Sequence, residues 1–271
     1  MLPLFKSHYS VGKSILTLAP ASIGARNGST GAQNDVRKEL HEGPSSIFDI
    51  AYRNELDRVF LVEDSLVGFL EAHKQSQELS INMSFGLRLT MCDDMSKKPG
   101  RGVSSCEHKI IIFALDGDGC VLLNKIYSAA QTQGHGRIDS LSLKSLYDSS
   151  HLKIVIPFYD SFLFENTFSY KEPCLLDHSF FTPTFIIENN LLPFDSILKD
   201  AVTQYAGDQF EIMKAKTIYY ENRCDFEAYQ TYKCICGRGF SNKAKTLDMP
   251  NLDHCGSPEF CYESYLENES S

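Results

Sequence analysis

Short apolar runs alternate with segments of helical periodicity along the chain. The runs rich in β-branched and aromatic residues predict strands at Leu2–Phe5, Arg58–Val62, Ile81–Met91, Lys109–Leu115, Lys153–Pro157, Thr184–Ile187 and Ile212–Tyr219. Apolar residues spaced for one face predict helices at Ser46–Arg53, Ser65–Leu79, Cys120–Thr132, Ser140–Tyr147, Phe158–Phe168, Pro193–Tyr205 and Asp225–Ile235. Strands that alternate with helices indicate an α/β fold with a largely parallel sheet.

Polar and glycine-containing segments separate these elements. The longest, 21–43, is rich in Gly, Ser, Asn and charged residues and predicts a long surface loop. A basic loop is predicted at Lys97–Ser105, and the polar tail Gly256–Ser271 is predicted to fray at its end. We therefore expect one domain over 1–266, with a loop insertion at 21–43 and a flexible tail at 267–271.

Composition and charge exclude several classes of protein. The 271 residues are 42% hydrophobic, enough for a sizeable core, and the net charge of −9 makes direct DNA binding weak or absent. No apolar run approaches the roughly 20 residues of a membrane helix, and the amino terminus lacks the apolar centre of a secretory signal. The odd number of scattered cysteines, 9, predicts free thiols and a cytoplasmic location.

Several motifs invite a metal but have simpler explanations. The sequence Asp-Gly-Asp-Gly at 116–119 lacks the other ligands of a calcium loop and predicts a tight turn between strand and helix. Cys234 and Cys236, with His254, Cys255 and Cys261 further on, fit no common zinc finger, and two thiols so spaced on a helix point apart.

Two carboxylates and two histidines are the better site candidates. Glu63 and Asp64 directly follow a predicted strand, where α/β proteins place their sites, although capping of the next helix by Asp64 or Ser65 is the favoured explanation. His8 follows the first strand and His108 precedes the strongest one, and each is open to a purely structural role.

Four colinear stretches resemble one known family. They are 5–11; 57–64 with 68–69 and 85–89; 108–115 with 122–128; and 214–220 with 225–229 and 234–235. In this order, from about residue 2 to 266, they resemble the polymerase-and-histidinol-phosphatase (PHP) domain at the start of bacterial DNA polymerase III alpha subunits. The resemblance implies a distorted barrel of seven strand–helix units. In active members up to three metals at the carboxyl ends of the strands hydrolyse phosphate esters, including as a 3′–5′ exonuclease.

Most of the family's metal ligands are replaced in this sequence. Two histidines of the opening motif fall at Leu4 and Lys6, a glutamate falls at Arg88, and a late Asp and His fall at Thr217 and Tyr219. The positions of this vestigial site are Lys6, His8, Glu63, Asp64, Arg88, His108, Thr217 and Tyr219. Only Asp64 and His108 are left as weak metal candidates, so we expect no metal cofactor.

The replacements also suggest what fills the site. If Lys6 and Arg88 occupy the vacated ligand positions, we expect them within reach of Glu63 or Asp64, since a partly buried carboxylate needs a counterion. The alternative is that both basic side chains point to solvent.

Three functions follow as hypotheses. The resemblance implies a non-catalytic PHP-like module that acts in DNA replication as a scaffold or protein-binding domain, with a replication protein, such as a polymerase, as its partner. Its setting would be the cytoplasm of a bacterial or bacteriophage-infected cell, and the chain would be a stand-alone relative or a fragment. A metal-dependent phosphoesterase or 3′–5′ exonuclease using Zn, Mn or Mg is the second hypothesis. An interaction protein unrelated to replication is the third.

Overall fold

The computed structural model describes residues 1–19, 44–97, 106–168, 173–236 and 256–269. Its strands are β1 (Leu2–Phe5), β2 (Arg58–Glu63), β3 (Asn82–Cys92), β4 (His108–Ala114), β5 (Arg137–Asp139), β6 (Leu152–Ile156), β7 (Thr184–Ile187) and β8 (Glu211–Ile218). Its helices are α1 (Ile47–Arg53), α2 (Phe69–Leu79), α3 (Gly117–Thr132), α4 (Ser140–Leu146), α5 (Phe162–Phe168), α6 (Asp195–Ala206), α7 (Phe226–Cys236) and α8 (Tyr262–Glu269). None of the helices in these ranges combines the length and apolar character needed to cross a membrane.

The eight strands form one mixed sheet. Their hydrogen-bonded order is β2-β1-β8-β7-β6-β4-β3-β5, and β2 also pairs with β3, so seven strands close on themselves and β5 extends from β3. Strand β4 is antiparallel to both β3 and β6, while the pairs β1–β2, β3–β5, β6–β7 and β7–β8 are parallel. The predicted α/β class and closed sheet are therefore confirmed. The reversal of β4 breaks the uniform strand–helix repeat that the family resemblance implies.

Contacts along the chain define two compact units. Unit 1 consists of Met1–Leu2, Val62–Leu66 and Ser84–Lys216, and unit 2 consists of Pro3–Leu61, Val67–Met83 and Thr217–Ser271. In unit 1 the apolar face of α3, through Leu123 and Ile126, is buried, as are the alternate residues Ile110 and Ile112 of β4. This unit also holds a cluster of aromatic rings around Phe162, whose ring centroid lies 5.0 Å from that of Tyr205.

Unit 2 has an aromatic core of its own. Tyr219 stacks on Tyr229 at 5.6 Å and on Phe260 at 5.4 Å between ring centroids, and Phe5 of β1 stacks on Tyr262 of α8 at 5.9 Å. All of these rings are buried. Burial of rings this large contributes roughly 2–3 kcal/mol of stability for each side chain. The stacked rings therefore hold α8 against β1.

The helix starts reflect specific caps. The Asp116 carboxylate accepts a 2.8 Å hydrogen bond from the Gly119 backbone N–H, so α3 begins inside the Asp-Gly-Asp-Gly turn that the sequence predicts. A Cβ on Gly119 would lie 2.3 Å from the His151 carbonyl oxygen, which explains a glycine within the first turn of the helix. Asp139 caps α4 in the same way, through Ser142 N–H at 2.8 Å.

Several predicted elements differ from the structure; for example, α5 begins at Phe162 and not at the predicted Phe158. Helix α2 begins at Phe69, four positions after the predicted Ser65, because the residues before it form a turn. Strand β5 was not predicted, and α8 covers Tyr262–Glu269, where the polar tail was expected to fray. The predicted loop at 21–43 lies outside the described residues, as does nearly all of the loop predicted at Lys97–Ser105.

Candidate functional site

One edge of the sheet in unit 1 collects its polar residues. Strands β3, β5, β6, β7 and β8 run in one direction and β4 runs against them, so the carboxyl ends of the five strands and the amino end of β4 share this edge. The backbone N–H of Lys109 donates to the carbonyl of Asp160 at 2.7 Å, which ties the start of β4 to the segment after β6. Sequence-distant polar side chains therefore meet here.

Arg88 forms ion pairs with two acids at this edge. Its Nη1 lies 3.6 Å from Asp64 Oδ1, and its Nη2 donates to Asp160 Oδ2. The Arg88 side chain is 12% exposed, against 34% and 31% for the two carboxylates. Asp160 has a backbone φ of 61°, a left-handed conformation that Asp tolerates better than most residues. A guanidinium therefore neutralises the two acids in a partly buried position.

A buried hydrogen-bond network lies beside these ion pairs. The Tyr159 hydroxyl donates to Asp195 Oδ1 at 2.8 Å and accepts from Asn190 Nδ2 at 3.1 Å, and the same amide nitrogen is 3.1 Å from Glu188 Oε2. We call these four residues the Tyr159 network. Burial and the negative charges of Glu188 and Asp195 raise the pKa of the Tyr159 hydroxyl, so it stays protonated and acts as a donor.

The Tyr159 network is anchored to the backbone. Asp195 Oδ2 accepts from the backbone N–H groups of Asn190 at 2.8 Å and Leu192 at 3.1 Å, which fixes the turn between β7 and α6. Lys216 of β8 is buried, and its Nζ donates to the Asn189 carbonyl at 2.8 Å. Because these groups bond to one another and to the backbone, the network supports rigid positioning of this edge.

A second group at the same edge contains sulfur and imidazole. Among the described residues, one set of three potential metal ligands has its donor atoms within 4.8 Å of one another, and it consists of Cys106, His108 and Cys174. We call this set the Cys–His group. Cys106 and Cys174 form a disulfide with Cα atoms 5.3 Å apart, so the prediction of free thiols is wrong for this pair. The pairing was not readable from the sequence because 68 positions separate the two cysteines.

The structure places the site candidates of unit 1 in different surroundings. Glu63 is the last residue of β2 and fully buried, and Asp64 follows it and pairs with Arg88. The expected closeness of Arg88 and Asp64 is confirmed, and Asp64 is not the cap of α2, which begins at Phe69. His108 is buried at the start of β4, in the Cys–His group.

The candidates in unit 2 lie in its backbone and aromatic framework. Lys6 is 3% exposed, so its side chain does not point to solvent, and its N–H donates to the Ile218 carbonyl at 3.2 Å. His8 Nδ1 lies 3.3 Å from the Leu16 carbonyl oxygen. Thr217 is in β8, and the buried ring of Tyr219 stacks between Tyr229 and Phe260. Tyr219 therefore serves the core of this unit.

The remaining zinc candidates are only partly described. Cys234 and Cys236 lie in the last turn of α7 as free thiols, and Cys261 is a buried free thiol whose pKa is raised by burial. His254 and Cys255 lie outside the described residues.

The donor set at the Arg88 edge does not fit the metal cluster that the family resemblance implies. A divalent cation between Asp64 and Asp160 would face the guanidinium that already pairs with both, and like charges at such distances repel. No step of hydrolysis can therefore be derived through a metal at these residues.

Sequence reasoning missed Asp160 and the whole Tyr159 network. Their position along the chain is the available signal: Tyr159 and Asp160 closely follow the end of β6, and Glu188 directly follows β7, as Asp64 directly follows β2. No protein-family model and no curated protein matches this sequence.

Proposed function

We propose that the chain is a non-catalytic PHP-like module that acts in DNA replication as a scaffold or protein-binding domain. The observation that carries the proposal is the pairing of Arg88 with Asp64 and Asp160 at the carboxyl edge of the unit 1 sheet. In the family that the sequence resembles, this edge holds catalytic metals. An arginine that neutralises the acids there takes the place of the metal's positive charge. It stabilises this edge of the sheet without providing a catalytic metal.

The surroundings of Arg88 support a structural role for this edge. The Tyr159 network uses its acids to bind backbone N–H groups, and Lys216 is committed to a backbone carbonyl. Hydrolysis of a phosphodiester needs acids and histidines that converge on metal ions and an attacking water. The acids at this edge are instead engaged by an arginine and by amides, so the phosphoesterase hypothesis is the less favoured one.

The fold is compatible with the proposal at a coarse level. A closed mixed sheet whose strands alternate with helices along the chain is compatible with the architecture that the resemblance implies, and the reversed β4 departs from it. The net charge of −9 favours a protein partner over direct contact with DNA. We therefore propose a replication protein, with a bacterial polymerase III alpha subunit as the first partner to test, and a cytoplasmic setting.

Two measurements test the proposal. Purified protein is incubated with a chromogenic phosphodiester and with 3′-labelled single-stranded DNA, in the presence of Mn²⁺, Mg²⁺ or Zn²⁺, and we expect no turnover above buffer. The Arg88→Ala variant should also be inactive, because removing the guanidinium does not supply the missing histidines. Turnover that the Asp64→Asn variant abolishes would overturn the proposal and establish the enzyme.

Partner binding is measured separately. Immobilised chain is probed with purified polymerase III alpha subunit and, as a control, with an unrelated acidic protein of similar size. Saturable binding of the subunit alone is the expected result. Absence of both hydrolysis and binding would leave the replication role without support and favour an interaction protein of another kind.

A further inference from the structure

The Cys–His group has the composition of a soft-metal site. Thiolate and imidazole are the ligands that zinc prefers, and Cys106, His108 and Cys174 bring their donor atoms within 4.8 Å of one another. His108 Nδ1 lies 3.8 Å from Cys106 Sγ. Bonds of about 2.3 Å to sulfur and about 2.0 Å to nitrogen at a tetrahedral angle would place these two atoms about 3.5 Å apart. The observed separation is thus close to that of two ligands on one zinc ion.

The His108 ring has no strong hydrogen-bond partner at either nitrogen among the described residues, and Nδ1, which faces Cys106, is the nitrogen that would bind the ion. The residue is 6% exposed, and its Nε2 has no hydrogen-bond partner among the described residues. Its Nδ1 faces a sulfur that, in the disulfide, carries no hydrogen to donate. A buried polar group without a partner destabilises the fold, and such groups often mark the place of an ion or water.

The backbone around the group is held in place by other side chains. The Asn166 side chain on α5 bonds both backbone groups of Cys174, accepting from its N–H at 2.7 Å and donating to its carbonyl at 2.9 Å. The Cys106 N–H donates to Asp93 Oδ2 at 3.1 Å, and Phe162 packs edge-on against the His108 ring with centroids 5.8 Å apart. None of these contacts involves a sulfur atom, so none of them requires the disulfide bond.

We propose that Cys106, His108 and Cys174 form a zinc site in the reduced protein. Oxidation to the Cys106–Cys174 disulfide removes both thiolate ligands and releases the zinc. Three protein ligands leave one position for a water molecule. The site is separate from the Arg88 ion pairs and does not depend on the function proposed above.

The redox step balances with ordinary thiol chemistry. A dithiol or phosphine reductant gives two electrons to the Cys106–Cys174 bond, which breaks, and two protons complete the thiols. Binding of Zn²⁺ then releases both thiol protons to solvent, while neutral His108 contributes a lone pair. Hydrogen peroxide takes two electrons from the two thiolates and two protons from solvent, its oxygen–oxygen bond breaks to give two molecules of water, the sulfur–sulfur bond forms and Zn²⁺ is released.

Metal binding by the full chain tests the proposal directly. The protein is reduced with a phosphine, freed of metal and titrated with Co²⁺, whose thiolate charge-transfer and tetrahedral d–d absorption report the ligands, and then with Zn²⁺. We expect one equivalent of Co²⁺ with thiolate bands, displacement by Zn²⁺, loss of the bands on peroxide treatment, and their return on reduction. Absence of thiolate bands in the reduced wild-type chain would overturn the proposal.

Variants assign the ligands. Cys106→Ser and Cys174→Ser should each abolish the charge-transfer band, and His108→Asn should weaken Zn²⁺ binding at least tenfold. The double variant Cys234→Ser/Cys236→Ser is the matched control and should bind as the wild type does. Loss of the band in this control, with the band intact in Cys106→Ser, would also overturn the proposal. The peroxide cycle on the wild-type chain keeps the test valid if a variant fails to fold.

Discussion

Arg88 Nη1 lies 3.6 Å from Asp64 Oδ1, which links the middle of β3 to the residue that follows β2. The same guanidinium bonds Asp160 through Nη2, so one side chain joins three segments of unit 1. Because the Arg88 side chain is 12% exposed, water screens these interactions less than it does at an open surface.

We expect Arg88→Met to lower the free energy of unfolding by about 1–3 kcal/mol. The substitution keeps an unbranched chain of similar length but removes the counterion of two partly buried acids, and the exposure of those acids keeps the loss below that of a fully buried pair. Urea unfolding followed by circular dichroism measures it. Arg88→Lys keeps the positive charge but lacks the planar guanidinium, so its stability should lie between those of the wild type and Arg88→Met.

The control for this measurement is Lys199→Met, at an exposed position of α6. It should change stability by less than about 0.5 kcal/mol. Equal effects at residues 88 and 199 would show that the ion pairs of Arg88 contribute nothing to the fold.

The Tyr159 network gives a second prediction. Tyr159→Phe removes a hydroxyl that donates to Asp195 and accepts from Asn190 in a buried place, and we expect a loss of about 1–3 kcal/mol. Thermal unfolding detects it as a lower melting temperature. Tyr127→Phe, at a half-buried position of α3, is the matched control and should leave the melting temperature nearly unchanged. A Tyr159→Phe protein as stable as wild type would contradict the role assigned to the hydroxyl.

The sequence predicted the strands well because their signal is local. Strand β7 occupies the predicted Thr184–Ile187, and β4 differs from its prediction by one residue at each end, since apolar β-branched runs need no distant information. Strand β5 escaped because it has three residues and begins with Arg137, which is 5% exposed. A buried arginine looks like a surface residue until its partner, here Glu107 at 2.9 Å, is known.

Only part of the candidate site could be predicted from the sequence. Asp64 and Arg88 were expected to meet because the family resemblance puts both positions at one metal cluster. Asp160 was not expected, since its contact with Arg88 spans 72 positions and depends on the register between β3, β4 and β6. The Cys106–Cys174 bond likewise depends on tertiary contacts, because Asn166 of α5 bonds the backbone of Cys174 and Cys106 lies just before β4. Such relationships are set by the sheet, not by local sequence.

The ion pair between His151 and Asp116 predicts a pH dependence. His151 Nδ1 lies 2.6 Å from Asp116 Oδ2, and this hydrogen bond raises the pKa of His151 above its ordinary 6.5. A raised pKa in the fold means that the contribution of His151 to stability is fully present below pH 6.5 and disappears as the pH rises through the folded value. An NMR titration of the His151 ring should therefore have its midpoint above 6.5.

Two variants separate the causes of that shift. Asp116→Asn should return the midpoint towards 6.5, because the hydrogen bond to the Asp116 carboxylate is the largest cause. Asp118→Asn removes a charge that acts only through space and should move the midpoint much less. A His151 midpoint that Asp116→Asn leaves in place would rule out this pair as the cause.

In unit 2, Arg223 bonds three glutamates that lie in helix α8 or just before it. Arg223 donates from Nε and Nη2 to the two oxygens of Glu259 at 3.0 and 2.9 Å, and from Nη1 to Glu267 Oε1 at 2.8 Å. Its backbone N–H donates to Glu263 Oε2 at 2.8 Å. Glu259 is buried and also accepts from the Ser264 hydroxyl at 2.6 Å. The hydrogen bonds to these carboxylates raise the pKa of Arg223, so it stays charged.

We expect Arg223→Met to loosen α8 more than it lowers global stability. Bidentate charge-assisted hydrogen bonds are the stronger kind, and removing these should cost about 1–2 kcal/mol, concentrated in the helix they attach. Hydrogen exchange followed by mass spectrometry should show faster exchange of the α8 amides, with those of β4 unchanged. Arg223→Lys cannot reproduce the fork, so the α8 amides of this variant should exchange at an intermediate rate.

Arg53→Met is the control, since the Arg53 side chain is 49% exposed and its pair with Glu221 should contribute little. Exchange in α8 that is as slow in Arg223→Met as in Arg53→Met would mean that the aromatic stacking of Tyr262 on Phe5, not the arginine, holds the helix.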